Sequence, residues 1–207
     1  MQTKSQHLDI SHMRSELGEI CNTLLFAHAL SGCDTTSRPY GIGKASVLSK
    51  IESLHDYAKV FRERNKQPDE IGVAGHQAIV VMYGCPPDSI LDFERASRFM
   101  QKVTKSSSYT PPERLLPTSD AAYYHSMRVY HQIQEWLGNR LDATKWGWHT
   151  KKTTTGTVYK PKRMDKEAAP SSLLKLVRCN CNGQCNRNTC SYRKIGLPCT
   201  MASGQCK

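Results

Sequence analysis

The chain has 207 residues, and its 29 lysines and arginines against 18 acidic residues give a formal net charge of +11. This length allows one or two small domains, and 38% hydrophobic residues suffice for a modest core, which argues against a fully disordered chain. The longest apolar stretches, 20–30 and 78–82, are too short to cross a bilayer, and residues 1–7 contain no apolar signal core, so we expect a soluble, intracellular protein.

Apolar residues spaced three and four apart predict a mainly α fold. Helices are expected over 15–30, over 56–65, over 70–83 and from Ser119 to Gly138. A further helix is expected to begin after Gly43, with Val47, Leu48 and Ile51 facing inward, and another to begin after a cap at Asp88 or Ser89. Residues 150–176 are polar and basic, without helical or strand period, and are interpreted as a linker. Strand signals are almost absent.

Charge and cysteine are both concentrated near the end of the sequence. Residues 146–207 contain twelve lysines and arginines and two acids, a net charge of +10, whereas residues 1–145 contain seventeen bases and sixteen acids, a net charge of +1. Six of the nine cysteines lie at 179–206. The charge predicts attraction to a polyanion, while the other three cysteines, Cys21, Cys33 and Cys85, are expected to be small buried side chains.

A loop between the first two predicted helices has features of a phosphate site. Asp34 ends the stretch Ser-Gly-Cys-Asp, and seven residues later Gly41-Ile42-Gly43-Lys44 opens a helix. Glycines let a backbone approach a phosphate closely, and free amides at a helix start, with the Lys44 ammonium, favour an anion. A Gly-x-Gly pair alone is explained as simply by a tight turn.

This arrangement resembles the flap-endonuclease branch of the PIN-like nucleases, in which the same separation joins an aspartate to a Gly-Ile-Gly helix-turn-helix element. The resemblance implies that Asp34 holds magnesium and that Gly41, Gly43 and Lys44 grip one DNA strand through its phosphates. Two-metal hydrolysis needs several convergent carboxylates, and the family takes most of them from strands that the sequence before Asp34 does not contain. We therefore expect the back portion of such a domain, without cleavage by this chain.

The terminal cysteines follow the pattern C-x-C-x3-C-x4-C-x8-C-x6-C, with basic residues between them. Without signs of an oxidising compartment, clustered thiolates favour zinc over disulfides. The candidate ligands are Cys179, Cys181, Cys185, Cys190, Cys199 and Cys206.

The pattern resembles a tesmin-type CXC domain, a zinc module that binds DNA in nuclear proteins. The candidate phosphate contacts in it are Arg187, Arg193 and Lys194. Tyr192 and Ser203 stand where related sequences have cysteines, and Thr189 replaces a base-reading tyrosine, so the module is degenerate. We expect one zinc or a bridged pair, and salt-sensitive phosphate attraction without base readout.

A closer resemblance covers nearly the whole chain. Residues 26–37, Leu116-Pro117-Thr118-Ser119, Trp146-Gly147-Trp148 and the cysteine-rich end look like a family of uncharacterised animal proteins associated with mobile elements. This resemblance implies common ancestry with that family and does not indicate a particular activity. Core packing is the simpler explanation of the aromatic residues with helical spacing, and only Trp146 and Trp148, beside the basic linker, are candidates to test for stacking on bases.

Three hypotheses follow for a chain divided into a truncated PIN-like helical region at 1–149, a basic linker at 150–176 and a degenerate CXC module at 177–207. The first is a zinc-binding protein, nuclear and catalytically incompetent, that associates with DNA without sequence specificity. The second is a fragment of a magnesium-dependent, structure-specific nuclease that needs acids from elsewhere. The third is a decayed mobile-element product without selected activity.

Overall fold

The computed structural model describes residues 9–105, 110 and 112–166, and this part of the chain is mainly helical, which confirms the predicted fold class at that level. Its helices are α1 (Ile10–Leu17), α2 (Ile20–Leu30), α3 (Lys44–Leu48), α4 (His55–Arg62), α5 (Pro68–Met82), α6 (Leu91–Lys105) and α7 (Ser119–Trp136). Two strands, β1 (Trp148–Thr153) and β2 (Gly156–Pro161), follow. In these residues we find no helix long and apolar enough to span a membrane.

Local capping chemistry sets several helix boundaries. The Asp9 carboxylate accepts hydrogen bonds from two backbone amides at the start of α1. Gly18, at φ 51°, separates α1 from α2, so the prediction of one continuous helix over 15–30 is wrong. Pro68 begins α5, and Thr118 caps α7 by accepting from the Ala121 amide at 3.1 Å, one residue before the predicted cap.

The core lies between α2, α4, α5 and α7 and contains a series of aromatic rings. Phe26 and Phe61 have ring centroids 4.6 Å apart, Phe61 meets the edge of Tyr130, and Tyr130 contacts Trp146 at 4.5 Å. Aromatic pairs at such distances add to the stabilisation from apolar burial. The series therefore ties the Trp-Gly-Trp segment to the helical core.

Two glycines permit the close approach of α5 and α7. A Cβ at Gly72 would come within 2.6 Å of the Tyr123 ring, and one at Gly75 would overlap the Ser126 hydroxyl. Ser126 is itself held, because its hydroxyl donates to the Ala122 carbonyl at 2.8 Å. These contacts leave no room for a side chain at either glycine.

Buried polar side chains of α7 satisfy carbonyl groups at the ends of two other helices. His125 Nε2 lies 2.9 Å from the Leu30 carbonyl at the end of α2. Gln134 Nε2 donates to the Phe61 carbonyl in the last turn of α4 at 2.9 Å. The last carbonyls of a helix lack partners within it, so these bonds stabilise the junctions that hold α2 and α4 against α7.

The sequence has almost no strand signal, yet β1 and β2 form an antiparallel hairpin over 148–161 that pairs Thr153 with Gly156. Both faces of the hairpin are largely exposed, so no alternation of apolar and polar residues marks it in the sequence. Residues 162–166 then lie against α7, where Arg128 donates to the Lys162 carbonyl and Asp120 accepts from the Lys166 amide at 2.9 Å. The remainder of the predicted linker, 167–176, lies outside the described residues.

Some apolar side chains of α3 and α6 are exposed to solvent. In α3, Val47 is buried, but Leu48 is 49% exposed, so the prediction that it faces inward is wrong. The reason is that α3 ends at Leu48 and does not continue its turn to Ile51. In α6, Leu91 is buried, but Phe93 is 71% exposed.

Candidate nucleic-acid interface

A pocket of about 380 Å³ lies where the loop before α3, the end of α5, helix α6 and the 3-10 turn Pro112–Arg114 meet. Four cationic side chains line it: Lys50, Arg98, Lys102 and Arg114. Among the described residues that line it there is no aspartate or glutamate. Its volume is within the range of ligand pockets, and its charge favours an anion.

Two of the four cations are positioned by the carboxyl end of α5. Lys50 Nζ donates to the Val81 and Met82 carbonyls at 3.1 and 2.8 Å, and Arg98 Nη2 donates to the Tyr83 carbonyl at 2.9 Å. The end of a helix carries roughly half a negative charge, which is less than these two cations bring. The helix end therefore orients Lys50 and Arg98 without neutralising them.

The other two cations lie nearer to solvent. Lys102 Nζ donates to the Arg114 carbonyl at 3.3 Å, which links α6 to the 3-10 turn, and both side chains are exposed. Within the described part of the chain, neither residue forms an ion pair with a carboxylate. Their charge is available to an approaching anion.

The loop before α3 forms one side of the pocket. Gly41 has φ 75°, a conformation that favours glycine, and a Cβ there would meet nothing within 4 Å. The Tyr83 hydroxyl donates to the Tyr40 carbonyl at 2.9 Å and so fixes this loop to the end of α5. Burial raises the pKa of Tyr83 to about 12, so this phenol stays a donor at neutral pH.

Lys44 takes a different position from the pocket cations. Its ammonium donates to the His28 carbonyl at 2.7 Å, the Ser31 hydroxyl at 2.9 Å and the Gly32 carbonyl at 2.5 Å, all at the end of α2. Partial burial lowers the pKa of Lys44, and the neighbouring Cys33 opposes this shift. Gly43 precedes α3 in an extended conformation and lies outside the pocket lining. The predicted phosphate contacts of Gly43 and Lys44 stay predictions.

Asp34 is exposed in the loop after α2. In the ranges that the structure describes, no group of three or more histidine, cysteine or acidic residues is arranged to hold a metal ion. Two-metal hydrolysis needs such a convergent set of carboxylates. The magnesium role of Asp34 therefore stays a prediction that rests on the resemblance.

The three cysteines of the helical region are partly exposed, so the expectation that they are buried is wrong. Cys33 lies in the loop after α2, and Cys85 follows the end of α5. Burial raises the pKa of the Cys33 thiol, but hydrogen bonds with Thr35 and Thr36 outweigh it and leave the pKa below its ordinary value. Burial is the largest influence on Cys85 and raises the pKa of its thiol.

The two tryptophans that are candidates for stacking on bases are not equally accessible. Trp146 is only 9% exposed and packs on Tyr130, so its ring belongs to the core and not to a surface that a base can reach. Trp148 is partly buried at the start of β1. Tyr40, which the sequence analysis did not single out, is instead an exposed ring at the basic pocket.

The pocket cations were missed because they lie far apart in the sequence, and residues 1–145 have almost no net charge. Only the packing of α5, α6 and the 3-10 turn brings them together. The predicted zinc ligands at 179–206, with Arg187, Arg193 and Lys194, lie outside the described residues.

Comparisons of this chain with protein-family models, with curated proteins and with solved structures found no match.

Proposed function

We propose that this chain is a nucleic-acid-associated, zinc-binding protein of the nucleus that holds DNA through its phosphates, without reading sequence and without cleaving it. The observation that carries the proposal is the convergence of Lys50, Arg98, Lys102 and Arg114 on one pocket whose described lining contains no acid. Cations that face phosphates supply most of the affinity in sequence-independent binding.

The charge of the rest of the chain supports the same conclusion. Residues 146–207 carry a net charge of +10, and the hairpin within them presents Lys151, Lys152 and Lys160 on an exposed surface. A strongly positive segment raises the local concentration of a polyanion and accelerates its association. In this proposal the hairpin and the terminal segment attract the strand, and the pocket fixes one of its phosphates.

The zinc part of the proposal rests on the spacing of the six terminal cysteines. Four thiolates complete a tetrahedral site, and in so short a segment metal binding contributes to the free energy of folding. We expect the purified chain to contain at least one zinc per molecule. We also expect DNA affinity to fall when a chelator removes the metal or when residues 177–207 are deleted.

The pocket is tested by neutralising its two exposed cations, Lys102→Gln with Arg114→Gln, and by measuring affinity for a fluorescent DNA duplex by anisotropy at fixed salt. The matched control is Arg62→Gln with Arg64→Gln. This control removes the same amount of charge near the start of α5, about 22 Å along that helix from the pocket. Lys66 forms ion pairs with Glu63 and Glu70 in the same region.

The pocket variant is expected to bind about fivefold more weakly, a loss of about 1 kcal/mol. The control variant is expected to lose less than half of the binding free energy that the pocket variant loses. Equal losses in the two variants would mean that only net charge matters, and no loss in either would reject the proposed site.

A further inference from the structure

A second pocket, of about 230 Å³, adjoins the basic pocket. The two share a wall, because Tyr40, Tyr83, Leu115 and Leu116 line both. Beyond that wall, most of the second lining is apolar and includes proline rings and Met164. A cationic pocket and an apolar, aromatic pocket therefore lie side by side on one surface of the molecule.

From this juxtaposition we propose that the second pocket receives an unpaired base of a nucleic acid strand whose phosphate lies in the basic pocket, so that the preferred partner is single-stranded. The inference rests on the proposed function and specifies the form of nucleic acid. A nucleotide unit combines a flat, largely apolar base with an anionic phosphate, which matches the two pockets. A base that is paired and stacked within a duplex cannot enter a pocket, whereas a single strand presents its bases freely.

The shared wall offers a surface for stacking. Tyr40 is 52% exposed, although the Tyr83 hydroxyl donates to its backbone carbonyl and holds it in place. Stacking on an aromatic ring is tolerant of sequence, because every base has a π face. Tyr40 can therefore contribute to binding without base readout, as the proposed function requires.

Charge decides which part of the nucleotide enters which pocket. The basic pocket is lined by four cations and, among the described residues, by no acid, whereas the second pocket is lined by one acid, Glu113, and one cation, Arg95, whose charges offset each other. A phosphate is therefore attracted more strongly to the basic pocket, while the Glu113 carboxylate can accept a hydrogen bond from the exocyclic amine of a base. The phosphate is thus directed to Lys102 and Arg114 and the base to the side of Glu113.

The test uses the full chain and three fluorescent probes: a 20-nucleotide single strand of mixed sequence, the same strand in a duplex, and a single strand with abasic sites at alternate positions. The variant is Tyr40→Ala. Its matched control is Tyr159→Ala, which removes a tyrosine that is 60% exposed on the basic hairpin. Tyr40→Leu serves as a second variant that keeps an apolar side chain without the ring.

Stacking contributes about 1–3 kcal/mol per base, so Tyr40→Ala is expected to weaken single-strand binding about fivefold or more. Tyr40→Leu is expected to lose most of the same affinity, and duplex affinity is expected to change less than twofold in both variants. Wild type is expected to bind the abasic strand more weakly than the intact one, and the loss on Tyr40→Ala is expected to be smaller with that strand.

Equal effects of Tyr40→Ala on single strand and duplex, or no effect on either, would overturn the base pocket. So would an equal loss in Tyr159→Ala. The proposed function fails separately, because it requires the Lys102→Gln, Arg114→Gln variant to weaken both single strand and duplex whatever the result at Tyr40.

Discussion

The stability of the helical core is expected to fall below neutral pH because of one buried histidine. His125 is buried on α7 with its Nε2 atom 2.9 Å from the Leu30 carbonyl, and burial lowers its pKa to about 4. In the unfolded chain a histidine has a pKa of about 6.5. As the pH falls below 6.5, His125 binds a proton in the unfolded state but not in the folded state, so the free energy of unfolding decreases.

The size of the effect follows from the two pKa values. The stability that His125 contributes is complete above pH 6.5, has fallen by about 2 kcal/mol at pH 5, and approaches a total loss of about 3 kcal/mol below pH 4. Because carboxylates also titrate in this range, wild type is compared with His125→Gln, whose neutral amide can still donate to the Leu30 carbonyl.

Guanidinium denaturation at pH 7.5 and at pH 5.0 gives the free energy of unfolding for both proteins. The variant is expected to lose about 2 kcal/mol less than wild type between the two pH values, whatever its stability at pH 7.5. An equal loss in the two proteins would refute the account of His125 as a histidine buried in its neutral form.

Three further predictions concern the helical region. Gly75→Ala is expected to destabilise the fold by about 1–3 kcal/mol, because its methyl group overlaps the Ser126 hydroxyl, and an unchanged unfolding midpoint would contradict this packing. Lys44→Met is expected to cost about 1–2 kcal/mol on denaturation, since the end of α2 loses its donor; unaltered stability would show that these bonds contribute nothing. Iodoacetamide at pH 7.5, followed by peptide mapping, is expected to modify Cys33 before Cys85, and the reverse order would be inconsistent with their pKa shifts.

Local signals in the sequence predicted much of the helical architecture. Apolar spacing and the proline at the start of α5 led to a predicted helix over 70–83, close to the observed Pro68–Met82. The break at Gly18 was missed, because a glycine within a periodic stretch can be tolerated and only its positive φ reveals the interruption. The hairpin was missed because no buried face imposes alternation on its strands.

The candidate site was harder to predict, because it depends on contacts between distant residues. Gly41 was singled out from its local pattern and does lie at the pocket. Lys44 looked equally available in the sequence, yet its ammonium is bound to the end of α2, sixteen residues earlier at His28. Arg98 and Lys50 have no local signature and acquire their positions only from the end of α5.

The central claim is that the pocket cations contact phosphates, and the salt dependence of DNA affinity measures this directly. The slope of log K against log[NaCl] is determined for wild type, for Lys102→Gln with Arg114→Gln, and for Arg62→Gln with Arg64→Gln. Each phosphate contact contributes about 0.7–0.9 to the slope, so the pocket variant, which loses the one phosphate that the pocket holds, is expected to have a slope smaller by about 0.7–0.9, while the control keeps that of wild type. A pocket variant with the slope of wild type would contradict the claim.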